Sequence, residues 1–243
     1  LALAQVWQEE GGEVVFLTAA RDAVLWARLR QEGIDPVILP DKTEFAVTSE
    51  AISRERPDWV ALDGYHFTPA RQRQVRELGA RLLVLDDYAH LEHYYGDLVL
   101  NQNFGAEKLP YQGEPYTRFL WGPAFALLRR EFRRRPAGPA AAAPHPRRLL
   151  ITLGGSDPGN HTLAVLEAAA GLPPPLTVKV VLGPQNPHGG MLRAALRGYP
   201  HEVELLRAAA DMAGLMDWAD AAVGAGGGTV WELLSRGVPA QIG

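Results

Sequence analysis

The sequence predicts an α/β protein with two mostly parallel sheets, one in each half of the chain and each covered by helices on both faces. Three observations carry that expectation. Short apolar runs rich in β-branched residues alternate with segments of helical spacing along both halves. A proline- and alanine-rich stretch, 133–147, interrupts the alternation and has the composition of a spacer. Glycine-rich turns follow two strands of the second half, and in such sheets ligands bind beyond the carboxyl ends of the strands. The expected domains are 1–132 and 148–243, joined by 133–147, with their sheets facing across a cleft.

The elements follow in order. Residues 1–10 have helical spacing from the first position, stopped by Gly11-Gly12. Strands are expected at 13–18, 34–39, 59–62, 81–85 and 98–100, and helices at 21–31, 44–54 and 69–78. The last of these helices opens with Thr68 as cap and Pro69 in its first turn. In the second half, strands are expected at 148–153, 177–182, 202–206 and 221–224, with helices at 160–170, 190–197, 212–218 and 229–236. Residues 237–243 read as a turn entering a strand. No methionine, cap or signal peptide precedes Leu1, so both ends read as cuts inside a fold and the chain as an interior piece of a longer protein.

Composition removes several functions. The chain has 243 residues, 47% of them apolar, enough to bury about 70–75% of the unfolded surface. Its 24 basic and 28 acidic residues give a net charge of −4, which argues against disorder and against a nucleic-acid partner. Cysteine is absent, which excludes disulfides, thiolate metal sites and cysteine nucleophiles. No apolar run approaches the roughly 18 residues of a membrane span, so no membrane insertion is expected. The sequence sets no oligomeric state.

Three segments can carry chemistry. Gly224-Ala225-Gly226-Gly227-Gly228-Thr229 follows an apolar strand and opens a helix, with Glu232 one turn further along. Glycines allow close backbone approach, and the helix N-terminus suits a diphosphate. Thr229 can donate to a phosphate oxygen, and Glu232 can accept from two vicinal ribose hydroxyls. The bland reading is a glycine turn with a capping threonine and a surface glutamate. Gly154-Gly155-Ser156-Asp157-Pro158-Gly159-Asn160 is the first strand–helix turn of its half. It suits phosphate or sugar contacts, or simply a turn with Asn160 as helix cap. Neither segment has the G-x-G-x-x-G or Walker spacing. The third cluster comprises Asp63, Tyr65, His66, Asp86, Asp87, Tyr88, His90 and His93 at strand ends of the first half. It can bind a polar ligand or supply acid–base groups; its spacing fits no zinc pattern, so neither metal nor other cofactor is expected. The arginines Arg129, Arg130, Arg133, Arg134 and Arg135 can grip phosphate or form a solvated helix end beside the spacer.

With these residues on the page, the chain resembles a known superfamily. Asp211-Met212-Ala213 through Trp218-Ala219-Asp220, with Gly226-Gly227-Gly228-Thr229 and Glu232, looks like the donor-binding half of MurG-type GT-B glycosyltransferases. Further motifs are Asp63-Gly64-Tyr65, Leu85-Asp86-Asp87, Gln102-Asn103, the run from Gly122-Pro123 to Glu131-Phe132, and Gly154-Gly155-Ser156-Asp157-Pro158. Together they resemble the UDP-sugar hydrolase family of pseudaminic acid biosynthesis and the related spore-coat polysaccharide proteins called SpsG. The resemblance implies a GT-B fold of two Rossmann-like domains, truncated here at both ends, and a cytoplasmic enzyme. The implied substrate is UDP-2,4-diacetamido-2,4,6-trideoxy-β-L-altropyranose or a related UDP-sugar, from which water displaces UDP at the anomeric carbon. The family's base is a histidine in a Gly-x-Gly-His loop, expected upstream of Leu1, with Tyr65, Asp63 and His66 as possible contributors here. By the same resemblance Glu232 holds the ribose, and Gly227, Gly228 and Thr229 hold the diphosphate. The backbone near Ala209 meets uracil, while Gly155, Ser156 and Asp157, with Asn160 beside them, face the sugar. Asn101 stands where the family often has Asp. Two alternatives stay open: a UDP-sugar-dependent glycosyltransferase of the same fold, and a non-catalytic nucleotide-sugar binder. The acidic, aromatic first half, without an apolar docking patch, argues against a lipid-linked acceptor.

Overall fold

The computed structural model describes residues 1–41, 45–134 and 146–243. The chain divides into two compact units: Trp7–Leu127, and Leu128–Gly243 together with Leu1–Val6. Most of the expected spacer 133–147, and with it Arg135, lies outside the described residues.

The first unit begins within helix α1 (Ala2–Glu9) and continues with β1 (Leu17–Thr18), α2 (Ala23–Gln31), β2 (Val37–Ile38) and α3 (Ala46–Glu55). Then follow β3 (Trp59–Asp63), α4 (Pro69–Glu77), β4 (Arg81–Leu85), β5 (Leu98–Asn101) and β6 (Arg118–Trp121). Strands β3, β4, β5 and β6 pair in that order, all parallel. Their carboxyl ends therefore share one edge. Leu62, Leu82, Val84 and Val99 from this sheet pack with Ile52, Val75 and Tyr94 into the unit's core. Helix starts follow side-chain chemistry: Asp22 accepts from the Val24 and Leu25 amides, and Thr68 accepts from the Arg71 amide.

The second unit holds α5 (Arg130–Arg133), β7 (Arg148–Thr152), α6 (His161–Ala169), β8 (Thr177–Leu182), α7 (Gly189–Ala195) and β9 (Glu202–Arg207). It ends with α8 (Met212–Trp218), β10 (Ala221–Gly224), α9 (Gly228–Arg236) and β11 (Ala240–Ile242). The sheet order is β11-β10-β7-β8-β9, every pair parallel. This is a doubly wound order whose direction of winding reverses between β7 and β10, the place where such sheets open a crevice for ligands. One face packs through Leu150, Val181, Met216 and Leu233, the other through Ile151, Leu166, Val180 and Leu192. The central strand β7, buried on both faces, reads as a continuous apolar run, whereas the edge strand β9 alternates charged and apolar residues.

The expected strands 13–18 and 34–39 shrink to β1 and β2, which pair only with each other, apart from the four-stranded sheet. An apolar run becomes a strand only where a neighbour takes its backbone groups, and only two residues of each run pair in register. Strand β6 was not expected from the sequence. It is four residues long and sits behind Pro110, Gly113 and Pro115, too short for a periodicity signal. Pairing with β5 creates it.

Candidate functional site

Each unit carries candidate residues at the carboxyl edge of its sheet. In the second unit, β7 and β10 are neighbours, so the loops that follow them lie side by side at the reversal point. After β10 the chain runs through Ala225 and Gly226 to Gly227, which caps α9 with φ 93° and ψ −156°. That conformation is essentially restricted to glycine. No side chain caps α9, so its first amides face the exposed loop formed by Gly226, Gly227 and Gly228. Thr229 sits in the first turn.

Glu232 is one turn further in, and its side chain is only 12% exposed. Arg129 Nε donates to its Oε1 at 2.7 Å. The same guanidinium lies 3.3 Å from Glu131 and over the Phe132 ring. Burial lowers the Arg129 pKa, but the Glu232 hydrogen bond together with the charges of Glu232 and Glu131 outweighs this and holds it above the ordinary value. Arg129 is therefore not the solvated helix end that was one reading of the sequence: it is partly buried and pairs with Glu232. No sequence pattern links two residues so far apart along the chain.

The loop after β7 is shaped from below. A Cβ on Gly183 would come within 2.1 Å of the Gly155 carbonyl oxygen, so the bare glycine lets this loop rest on the end of β8. The Gln185 amide donates to that same carbonyl at 3.2 Å. Asn160 occupies the N-cap position of α6, as one reading of the sequence had it, but its side chain makes no capping bond; Asp157 supplies it. Its Oδ1 accepts from the His161 amide at 2.8 Å, and its Oδ2 accepts from the Thr162 amide and hydroxyl at 3.0 and 2.6 Å. Burial raises the Asp157 pKa, yet these hydrogen bonds win and hold the carboxyl below its usual range. Asp157 is 5% exposed, whereas Ser156 is half-buried and Gly154 and Gly155 are exposed. Asn160 takes φ 52° and donates to Met191 Sδ at 3.3 Å. Ala209 is half-buried just beyond β9 and packs against the core.

In the first unit, β3, β4 and β5 deliver Asp63, Tyr65, Asp86, Asp87, Asn101 and Asn103 to one edge. The Tyr65 hydroxyl donates to Asp87, which also accepts from Asn103 Nδ2 at 3.0 Å. The bond to Asp87, followed by burial, raises the Tyr65 pKa far above the ordinary phenol value. Asp86 is buried and accepts from the Tyr88 and Ala89 amides at 2.8 and 2.7 Å. It also accepts from the Tyr94 hydroxyl at 2.7 Å, the Tyr111 hydroxyl at 2.8 Å, and His90 Nδ1. Burial pushes its pKa up, but the bonds from Tyr94, Tyr111, Ala89 and His90 hold the carboxyl below the usual value. Buried Asn101 donates to the Tyr111 hydroxyl at 2.8 Å and accepts from the Asn103 amide at 2.9 Å. An Asp at 101 would lose that donor.

The sequence cluster is thus divided. Tyr65, Tyr88 and His90 meet ring to ring. His66 is exposed with its ring against Phe67, and His93 Nε2 lies 3.0 Å from Glu114. Asp63 is exposed at the end of β3. Tyr94 and Tyr111, which donate to Asp86, were not singled out by the sequence, because both stand in loop segments outside the motifs and meet Asp86 only in the fold. Among the described residues, no group of three His, Asp or Glu side chains is placed to hold a metal ion, and no helix is long and apolar enough to cross a membrane.

No family model matches the chain. An uncharacterised protein of Methanocaldococcus jannaschii is 26% identical over 237 residues, covering 95% of this chain and 48% of the relative. The spore coat polysaccharide biosynthesis protein SpsG of Bacillus subtilis is 26% identical over 224 residues, covering 89% of this chain and 64% of the relative. The chain thus spans about half to two thirds of the length of these relatives. Among solved structures, Acinetobacter baumannii MurG superposes with a TM-score of 0.63 at 16% identity, covering 98% of this chain and 72% of its own. Anabaena HepE, in complex with UDP-glucose, has a TM-score of 0.60 at 14% identity, covering 99% and 75%. The parallel α/β sheets, the winding reversal between β7 and β10, and these superpositions agree on the architecture: the chain has the GT-B fold and is a homologue of SpsG.

Proposed function

We propose that the chain is the nucleotide-sugar-binding portion of an enzyme of surface-polysaccharide biosynthesis that hydrolyses a UDP-sugar to UDP and the free sugar. The observation that carries the reading is the pair of glycine loops at the winding reversal of the second unit, with Glu232 one turn into α9. The uncapped amides of Gly228 and Thr229, with the Thr229 hydroxyl, hold the diphosphate. Glu232 accepts from the ribose hydroxyls while Arg129 keeps its carboxylate oriented. The backbone near Ala209 meets the uracil. Gly155 and Ser156 take the sugar side, with Asn160 beside them, and Asp157 acts by pinning their loop to α6. In the reaction, a water oxygen bonds to the anomeric carbon, the bond from that carbon to the phosphate oxygen breaks, and UDP leaves with the electron pair. The proton lost by water passes to a base; the resemblance supplies a histidine of a Gly-x-Gly-His loop for that role, with Tyr65, Asp63 and His66 as contributors.

The name of SpsG supports a role in polysaccharide biosynthesis, and the UDP-glucose complex of HepE supports a UDP-sugar as ligand. The MurG likeness favours a second reading, transfer of the sugar to an acceptor. Calorimetric titration with UDP, UMP and ADP tests the nucleotide assignment: UDP is expected to bind most tightly, and equal affinity for ADP overturns the uracil contact. UDP release from a UDP-sugar, measured with and without an added acceptor, separates the reactions. Release that needs no acceptor supports hydrolysis, and strict dependence on an acceptor supports transfer.

A further inference from the structure

One histidine of the first unit is built into its sheet edge in a way the proposed nucleotide contacts do not use. After β4 the chain turns through Asp86-Asp87-Tyr88-Ala89, with Ala89 at φ 54°, and this brings His90 Nδ1 back onto the Asp86 carboxylate. Asp86 is held in its ionised form by its other donors, and an ionised carboxylate only accepts. Nδ1 therefore carries the hydrogen, and on the neutral ring Nε2 is left as a bare acceptor. The His90 side chain is 10% exposed, and its Nε2 is buried without any hydrogen-bond partner. Buried acceptors are nearly always paired, and an unpaired one calls for an explanation.

The surroundings supply one. The Tyr65 ring meets the His90 ring edge-on at 5.3 Å and 80°, and the Tyr88 ring lies 5.6 Å away. These two tyrosines are 52% and 55% exposed, with centroids 5.0 Å apart. The bond from Tyr65 to Asp87 fixes the first ring in place. Two exposed aromatic faces beside a sequestered acceptor match the chemistry of a pyranose, which offers an apolar C–H face and hydroxyl donors around its rim.

We propose that Tyr65, Tyr88 and His90 form a sugar-binding site in which the tyrosine rings take the C–H face of a pyranose and His90 Nε2 accepts a hydrogen bond from one of its hydroxyls. Asp86 is the positioning residue that accepts the hydrogen bond from Nδ1 and so fixes the orientation of the ring. Only the choice of a UDP-linked sugar as probe rests on the reading of the previous subsection.

The test uses the chain labelled with ¹⁵N-histidine and three probes: UDP, UDP-N-acetylglucosamine and free N-acetylglucosamine at millimolar concentration. The His90 Nε2 resonance is expected to move with both sugar-bearing probes and not with UDP. The variant His90→Asn keeps an N–H toward Asp86 and deletes Nε2. It is expected to melt like the parent and bind UDP unchanged, but to lose about tenfold or more of the affinity for free N-acetylglucosamine. If UDP binds and neither sugar moves the His90 signal, the proposal is overturned while the nucleotide reading stands. If UDP fails to bind but N-acetylglucosamine still moves the His90 signal, the nucleotide reading falls and the sugar site stands. Full retention of the affinity for N-acetylglucosamine in a folded His90→Asn chain also overturns it.

Discussion

At Asp86 one carboxylate collects five donors, so its replacement tests how far the first unit's sheet edge depends on a single side chain. Asp86→Asn presents an amide where Tyr94 or Tyr111 now donates, and is expected to cost about 2–4 kcal/mol in urea unfolding at neutral pH, the range for breaking a buried charged network. The sign with pH follows from the depressed pKa. A carboxyl lowered in the folded state stabilises fully above its unfolded value, about 4, and that contribution disappears as the pH falls through the folded value. The gap between parent and variant should therefore narrow on acidification below about pH 4; a gap that widens contradicts the assignment. At Glu232 the expectation concerns binding. Glu232→Ala should weaken UDP by about 1–3 kcal/mol, and 2′-deoxy-UDP should suffer a smaller further loss in the variant than in the parent. Simply additive losses would show that Glu232 does not touch that hydroxyl. Glu232 was readable from its place after a glycine loop, whereas its partner Arg129 was not, since only the fold brings the two together.

Two glycines separate steric from conformational demand at the level of elements. Gly183→Ala would drive its Cβ into the Gly155 carbonyl, so the loop after β7 must move. Gly227→Ala meets nothing within 4 Å but must hold φ 93°. The second change is expected to cost about 1–3 kcal/mol of stability. The first should be at least as costly, and should shift amide resonances across 154–160 in a heteronuclear spectrum. An unshifted loop in Gly183→Ala would show that Gly183 is not its seat. Strand β7 of the second unit was legible because burial on both faces leaves an apolar run, and β9 because its charged and apolar residues alternate. Strand β6 was not, because its four residues gain strand character only from β5.

Across the whole molecule, the least expected link involves the N-terminal helix. Gln5 is fully buried, and its Oε1 accepts from the Arg130 amide at 2.8 Å. This bond ties the first turn of α1 to Leu128–Gly243, the unit to which Leu1–Val6 belongs. Gln5→Ala leaves a backbone donor unpaired and is expected to cost about 1–3 kcal/mol, read as a lower urea midpoint with an unchanged slope. A change below a few tenths would mean that water replaces the glutamine.

By itself the sequence determined the alternation of strands and helices, the two-part plan and the glycine loops, because apolar periodicity and glycine punctuation are local signals. It also placed Asp63, Tyr65, Asp86 and Asp87 at strand ends. Only the tertiary structure decided which of these residues meet. It set Asp157 on α6 rather than on an open surface, gave Glu232 an arginine partner, and chose His90 over His66 as the companion of Tyr65. Those outcomes depend on strand order and on turns such as the one at Ala89. Contacts between residues distant along the chain leave no period to read in the chain itself.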